Sequence, residues 1–142
     1  RVLVTADHGM VGTPLASRRL LRDLPTIASL QSLREAGEAR HLYLHARSDD
    51  GGALRQEAER VLGGDFVVLD GPEALAAGLY GDPASVHPEA LRRIGDVVVL
   101  ARGQASLWGG DAGAVLLGMH GALDAEEMLV PLLSLQPAAL NR

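Results

Sequence analysis

The sequence predicts an α/β domain, and two observations carry that expectation. Short β-branched runs recur along the chain, with "FVVL" at 66–69 and "DVVVLA" at 96–101 the clearest. Between them lie stretches whose apolar residues have helical spacing, bounded by glycine and proline. Strands alternating with helices define the class. The 142 residues suffice for one domain with a real core, and no internal repeat interrupts them.

Taken in order, residues 2–6 read as a buried strand, and Gly9, Gly12 and Pro14 punctuate the loop after it. Residues 15–25 are mixed, a loop or a short helix. Ile27, Leu30 and Leu33 have helical spacing, so a helix is expected over 26–36 with Gly37 as its stop. "LYLHA" at 42–46 alternates like a strand. "SDDGG" is a turn, followed by an amphipathic helix over 53–62 that Gly63 and Gly64 close. After the strand at 66–69, a short helix is expected over 72–79, with proline at its start and glycine near its end. "YGDPASVHPEALRRIG" reads as a loop with one helical turn, and "RGQASLWGGDAGA" as a turn, a weak strand and a glycine-rich loop. Near the end, Asp124 caps a short helix and Glu127 completes a capping box. A last strand is expected over 130–135.

Composition excludes several kinds of chemistry. There is no cysteine, so a disulfide framework, a thiolate zinc site and a cysteine nucleophile are ruled out. Any metal would be held by His, Asp or Glu. All 13 basic residues are arginine, which removes Schiff-base chemistry and a phosphate-loop lysine; a GC-rich, bacterial genome accounts for the bias. A net charge of −5 and an aromatic content of 3% argue against a nucleic-acid surface built on bulk charge or base stacking. No stretch approaches the roughly 18 apolar residues of a membrane span. The chain opens at Arg1 directly into a strand-like run, which reads as the middle of something longer, and the compartment is not legible.

Among the five histidines, His41, His45 and His87 lack a carboxylate in a repeated pattern and read as structural. Arg34, Arg40, Arg47, Arg55 and Arg60 read as a solvated surface. Asp7-His8 is different, because it leaves the carboxyl end of a strand, where α/β sheets build ligand sites. Gly9 frees the backbone to bend, so that Asp7 and His8 converge on one divalent ion; the alternative is that Asp7 merely caps the following turn. His120-Gly121 also ends an apolar run, "AVLLGM". Two His-Gly dipeptides so placed suggest one site assembled from opposite ends of the chain.

With "VTADHGM" at 4–10, "GMHGALDAEEMLVPLL" at 118–133 and "RIGDVVVLARG" at 93–103, the chain resembles the type I phosphodiesterase/nucleotide pyrophosphatase family of the alkaline phosphatase superfamily. The resemblance implies the C-terminal portion of an alkaline-phosphatase-like fold, a mixed sheet with flanking helices. Residues 1–142 then form a single domain from a longer metallohydrolase, with metal-site segments at 1–14 and 109–135 and an intervening α/β region at 26–108. Such enzymes hold two divalent metal ions, usually zinc. The resemblance implies that Asp7 and His8 ligate the nucleophile-side ion and His120 the other. The remaining ligands and the Thr or Ser nucleophile belong upstream of "ADHG"; Thr5 and Thr13 carry no motif for that role. Ala122 stands where a serine often follows His-Gly, and Asp124 where a threonine often caps the helix. The implied substrate is a small-molecule phosphate ester or nucleotide, and the implied partner is the N-terminal part of the same protein. The chain alone is expected to be inactive, with an incomplete metal site. The competing expectation is a non-catalytic binding or scaffold domain that retains the fold.

Overall fold

Along the chain, in the computed structural model that describes residues 1–47, 51–110 and 116–136, the elements run as follows. The first third holds β1 (Val2–Thr5), β2 (Val11–Gly12), β3 (Arg18–Leu20), α1 (Pro25–Leu30), β4 (Ala36–Glu38) and β5 (His41–Leu44). Then come α2 (Gly51–Leu62), β6 (Phe66–Asp70), α3 (Gly71–Ala76), α4 (Pro88–Ile94), β7 (Val97–Ala101) and β8 (Ser106–Trp108). The chain closes with β9 (Gly118–Met119), α5 (Ala125–Met128) and β10 (Leu132–Leu135).

Strands β4, β5, β7 and β6 form one antiparallel sheet in that order. Central strand β7 is buried along its whole length, which is why it reads as an unbroken apolar run. Its side chains alternate between faces. Val97, Val99 and Ala101 join Leu42, Leu44, Phe66 and Val68 under α1 and α2, which bring Ile27, Leu54, Ala58 and Leu62. Val98 and Leu100 face the other way, onto Ala74 and Ile94 of α3 and α4. Each buried leucine, isoleucine or phenylalanine contributes about 1.5–3 kcal/mol relative to exposure. In α2, Leu54, Ala58 and Leu62 lie four residues apart on one stripe. Three two-stranded ribbons flank the sheet: β1–β10 and β2–β9 antiparallel, β3–β8 parallel. The sheets with flanking helices are the α/β arrangement expected.

Four expectations need correction. Strand β1 exists but is exposed throughout; it pairs only with β10, itself exposed, so the ribbon's apolar side chains have no layer over them among the described residues. The helix expected over 26–36 is the six-residue α1. Gln31 is extended and bridges Ala46, and the backbone bonds Ser32 N–H to His45 C=O and Arg47 N–H to Leu30 C=O replace the next helical turn. Leu33, the last of the three residues whose spacing predicts the longer helix, is exposed. Gly37 is not a helix stop: it lies in β4 at φ 89°, where a Cβ would strike the His41 carbonyl oxygen. Finally, residues 15–25 include a strand, β3. The capping box at Asp124 and Glu127 is present at α5. The glycine-rich loop lies largely outside the described residues, as do the start of the "SDDGG" turn and of the "AVLLGM" run.

Candidate functional site

The site begins where β1 ends. Asp7 turns its carboxylate back on the chain, and Oδ1 accepts the His8 N–H at 3.1 Å. Gly9 and Met10 then dock on α5: their N–H groups donate to the carbonyls of Glu127 at 2.8 Å and Glu126 at 2.9 Å. Any Cβ at Gly9 would run into the Glu126 carbonyl oxygen, so only glycine permits this approach. The next residues form β2, which pairs Val11 with Met119 of β9. That pairing delivers His120 beside His8. The two imidazoles stack with centroids 3.6 Å apart and planes inclined by 19°. The two His-Gly dipeptides from opposite ends of the chain therefore meet.

A carbonyl oxygen can only accept, so the 2.8 Å contact between His8 Nδ1 and the Gly9 carbonyl sets Nδ1 as the donor. The neutral ring then presents a lone pair on Nε2. Asp7 Oδ2 lies 3.7 Å from that nitrogen. A divalent cation between these two acceptors would bond to both. The separation suits two ligands of one ion with bonds of about 2.0–2.2 Å, and the carbonyl behind Nδ1 is the orienting partner that metal-binding histidines use. This donor set fits zinc or a similar divalent ion. Among the described residues, no group of three or more His, Asp or Glu is arranged to hold a metal.

The turn after His120 rests on residues outside the two motifs. Gly121 sits at φ 117°, with its missing Cβ facing Glu38 and His41. His41 Nδ1–H donates to the Gly121 carbonyl at 3.0 Å, and the Tyr80 hydroxyl donates to His41 Nε2 at 2.8 Å. Burial holds the His41 imidazole below its ordinary pKa, against the opposing pull of that carbonyl and of the Glu127 charge. Ala122 is buried, and its N–H donates to Glu127 Oε2 at 3.0 Å.

Arg40 overturns its expected place on a solvated surface. It is 0% exposed and Glu127 3%. The Arg40 guanidinium meets the Glu127 carboxylate at 2.7–3.2 Å and Asp124 Oδ2 at 2.8 Å. It also meets the carbonyls of Gly103 and Ala105, each at 2.7 Å. Burial alone would raise the Glu127 pKa; Arg40 and the N–H groups of Ala122 and Asp124 outweigh it and hold the carboxyl below its usual range. Nothing local marks Arg40, whose carboxylate partners lie 84 and 87 residues away. Arg34, Arg47 and Arg60 stay on the surface, and the half-buried Arg55 ties α2 to Asp70 and Glu73 at the start of α3. His87, read as structural, accepts the Glu89 N–H at the head of α4.

These shifts fix a direction for stability against pH. Both groups have folded-state pKa values below their unfolded ones, so their contributions are complete at high pH and fade as it falls. The His41 contribution is complete above about pH 6.5 and the Glu127 contribution above about pH 4.3, and each is lost as pH falls through the lowered folded value. Urea midpoints should therefore drop from pH 7.5 to pH 5. The drop should shrink in His41→Gln; an unchanged drop would remove His41 from the account.

No protein-family profile and no curated protein matches the sequence. Solved structures do match. Human ectonucleotide pyrophosphatase/phosphodiesterase 5 superposes with a TM-score of 0.62 at 14% identity, over 92% of this chain and 32% of that one. The murine protein gives 0.57 at 18% identity over the same shares. Phosphonoacetate hydrolase from Sinorhizobium meliloti 1021, in complex with phosphonoformate, gives 0.63 at 20% identity over 97% of this chain and 38% of that one. These likenesses establish the fold, which this chain shares with part of each of these structures. The chain spans 32–38% of the length of these matched structures.

Proposed function

We propose that this chain is the C-terminal portion of a two-metal phosphoric ester hydrolase of the phosphodiesterase/nucleotide pyrophosphatase type. The observation that carries the reading is the meeting of His8 and His120 from the two ends of the chain, beside Asp7. In this reading Asp7 and His8 hold one divalent ion, zinc by donor chemistry, and His120 holds a second. The ions, when bound, polarise a phosphoryl oxygen and lower the pKa of the attacking hydroxyl and water. The chain's own contribution is orientation. The Gly9 carbonyl fixes the His8 ring, and the Gly9–Met10 bonds to α5 fix the turn that carries Asp7. The Thr or Ser nucleophile and the other ligands lie in the remainder of the longer protein, so the isolated chain turns nothing over. That remainder also covers the exposed Val2, Leu3 and Val4 of β1 and Leu132, Leu133 and Leu135 of β10.

The substrate is a small phosphate ester, nucleotide or phosphonate. In support, an inactive form of the murine relative has been solved with AMP, and the Sinorhizobium hydrolase with phosphonoacetate and phosphonoformate. Zinc titration of the isolated chain tests the site. Ring resonances of His8 and His120 should move together, with an affinity by calorimetry weaker than micromolar. Submicromolar binding lost in His8→Ala would contradict a partial site. Shifts confined to His45 and His87 would contradict the ligand assignment.

A further inference from the structure

We infer that Arg40 is the positioning residue that holds the two ends of the histidine pair in register. The inference rests on the reading of His8 and His120 as one site, but not on any bound metal. Arg40 lies between β4 and β5, far in sequence from either histidine. Every nitrogen of its guanidinium is engaged: Nε and Nη2 on Glu127, Nη2 also on Asp124, and Nη1 on the carbonyls of Gly103 and Ala105. Two routes leave Glu127. Through its side chain, Oε2 takes the Ala122 N–H, two residues beyond His120, and Oε1 takes the Asp124 N–H. Through its backbone, the Glu127 carbonyl takes the Gly9 N–H, next to His8, while the neighbouring Glu126 carbonyl takes Met10 N–H.

One guanidinium thus orients one carboxylate residue, and that residue grips both His-Gly turns. Removing the arginine leaves the Glu127 carboxylate in the interior without its counter-charge, and the first turn of α5 must swing toward water to solvate it. The two turns are attached to that helix and would move with it. Lysine cannot substitute, because a single ammonium cannot reach two carboxylates and two carbonyls in the fixed planar fork that arginine provides.

The test is an Overhauser contact between the ring protons of His8 and His120, measured in the full 142-residue chain with labelled histidine and no added metal. Wild type should show it. Arg40→Lys should lose it while the amide pattern of β5, β6 and β7 is retained. Should that variant unfold, Arg40→Met/Glu127→Leu leaves no buried charge unpaired but removes the carboxylate that grips the Ala122 and Asp124 N–H groups, and should lose the contact in the same way. A wild-type contact in either folded variant overturns the inference, since a purely structural role would lower stability and leave the rings together. Absence of the contact in wild type overturns it as well. Failure of the hydrolase reading would show instead as an intact, Arg40-dependent ring contact with no metal response at His8 and His120.

Discussion

Replacing Arg40 with methionine should lower the unfolding free energy by about 3–5 kcal/mol, the range for breaking a buried ion pair by removing one partner. The size follows from what is left behind. The Glu127 carboxylate would keep only the N–H groups of Ala122 and Asp124. The carbonyls of Gly103 and Ala105 would lose the donor they share. A methionine side chain fills much of the volume, so electrostatics rather than a cavity dominates the loss. Removing both charges in Arg40→Met/Glu127→Gln should therefore cost less than Arg40→Met alone, because a paired buried charge is replaced more easily than one partner is removed. Denaturant unfolding at pH 7.5 measures both. A loss in Arg40→Met under about 1 kcal/mol would place the pair among weak surface bridges and remove it from the core of the account.

The parts of the fold that were legible in the sequence are those whose cause is local. Strand β7 showed itself because both of its faces are buried, which leaves no polar residue from Val97 to Ala101. Helix α2 showed itself by its stripe, and α5 by the reciprocal capping of Asp124 and Glu127. The helix expected over 26–36 failed because spacing alone cannot register a competing partner; Gln31 pairs with Ala46, and strand bonds displace the helical ones. The apolar run of β1 suggested burial, and no residue within it shows that its only described neighbour is another exposed strand.

The candidate site is legible in the same uneven way. Asp7, His8 and His120 could be singled out because each histidine precedes a glycine at the end of an apolar run. The glycines have physical reasons that the structure makes plain: Gly9 admits the Glu126 carbonyl, and Gly121 takes a positive φ over His41. The supports of the site were not legible. Arg40 looks like any arginine flanking a strand, and His41 like any partly buried histidine, until the fold brings Glu127 and Gly121 to them. Their roles exist only in long-range contacts, so no spacing within the motifs could announce them.

The largest functional effect should come from the histidine pair itself. If His120 holds one of two ions on a phosphoryl group, removing it discards Lewis-acid stabilisation worth several kcal/mol. About 3 kcal/mol corresponds to a rate loss of roughly 100-fold. Asp7→Ala should act similarly, because it strips His8 of the carboxylate facing its free nitrogen. His87 supplies the control, since it is exposed and its hydrogen bond serves only the start of α4. The most direct measurement is hydrolysis of a nitrophenyl phosphodiester, with zinc supplied, by the longer protein that the proposal implies, comparing wild type, His120→Ala and His87→Ala. The account predicts a rate near wild type for His87→Ala and a loss of roughly 100-fold or more for His120→Ala. A near-normal rate in His120→Ala would contradict it.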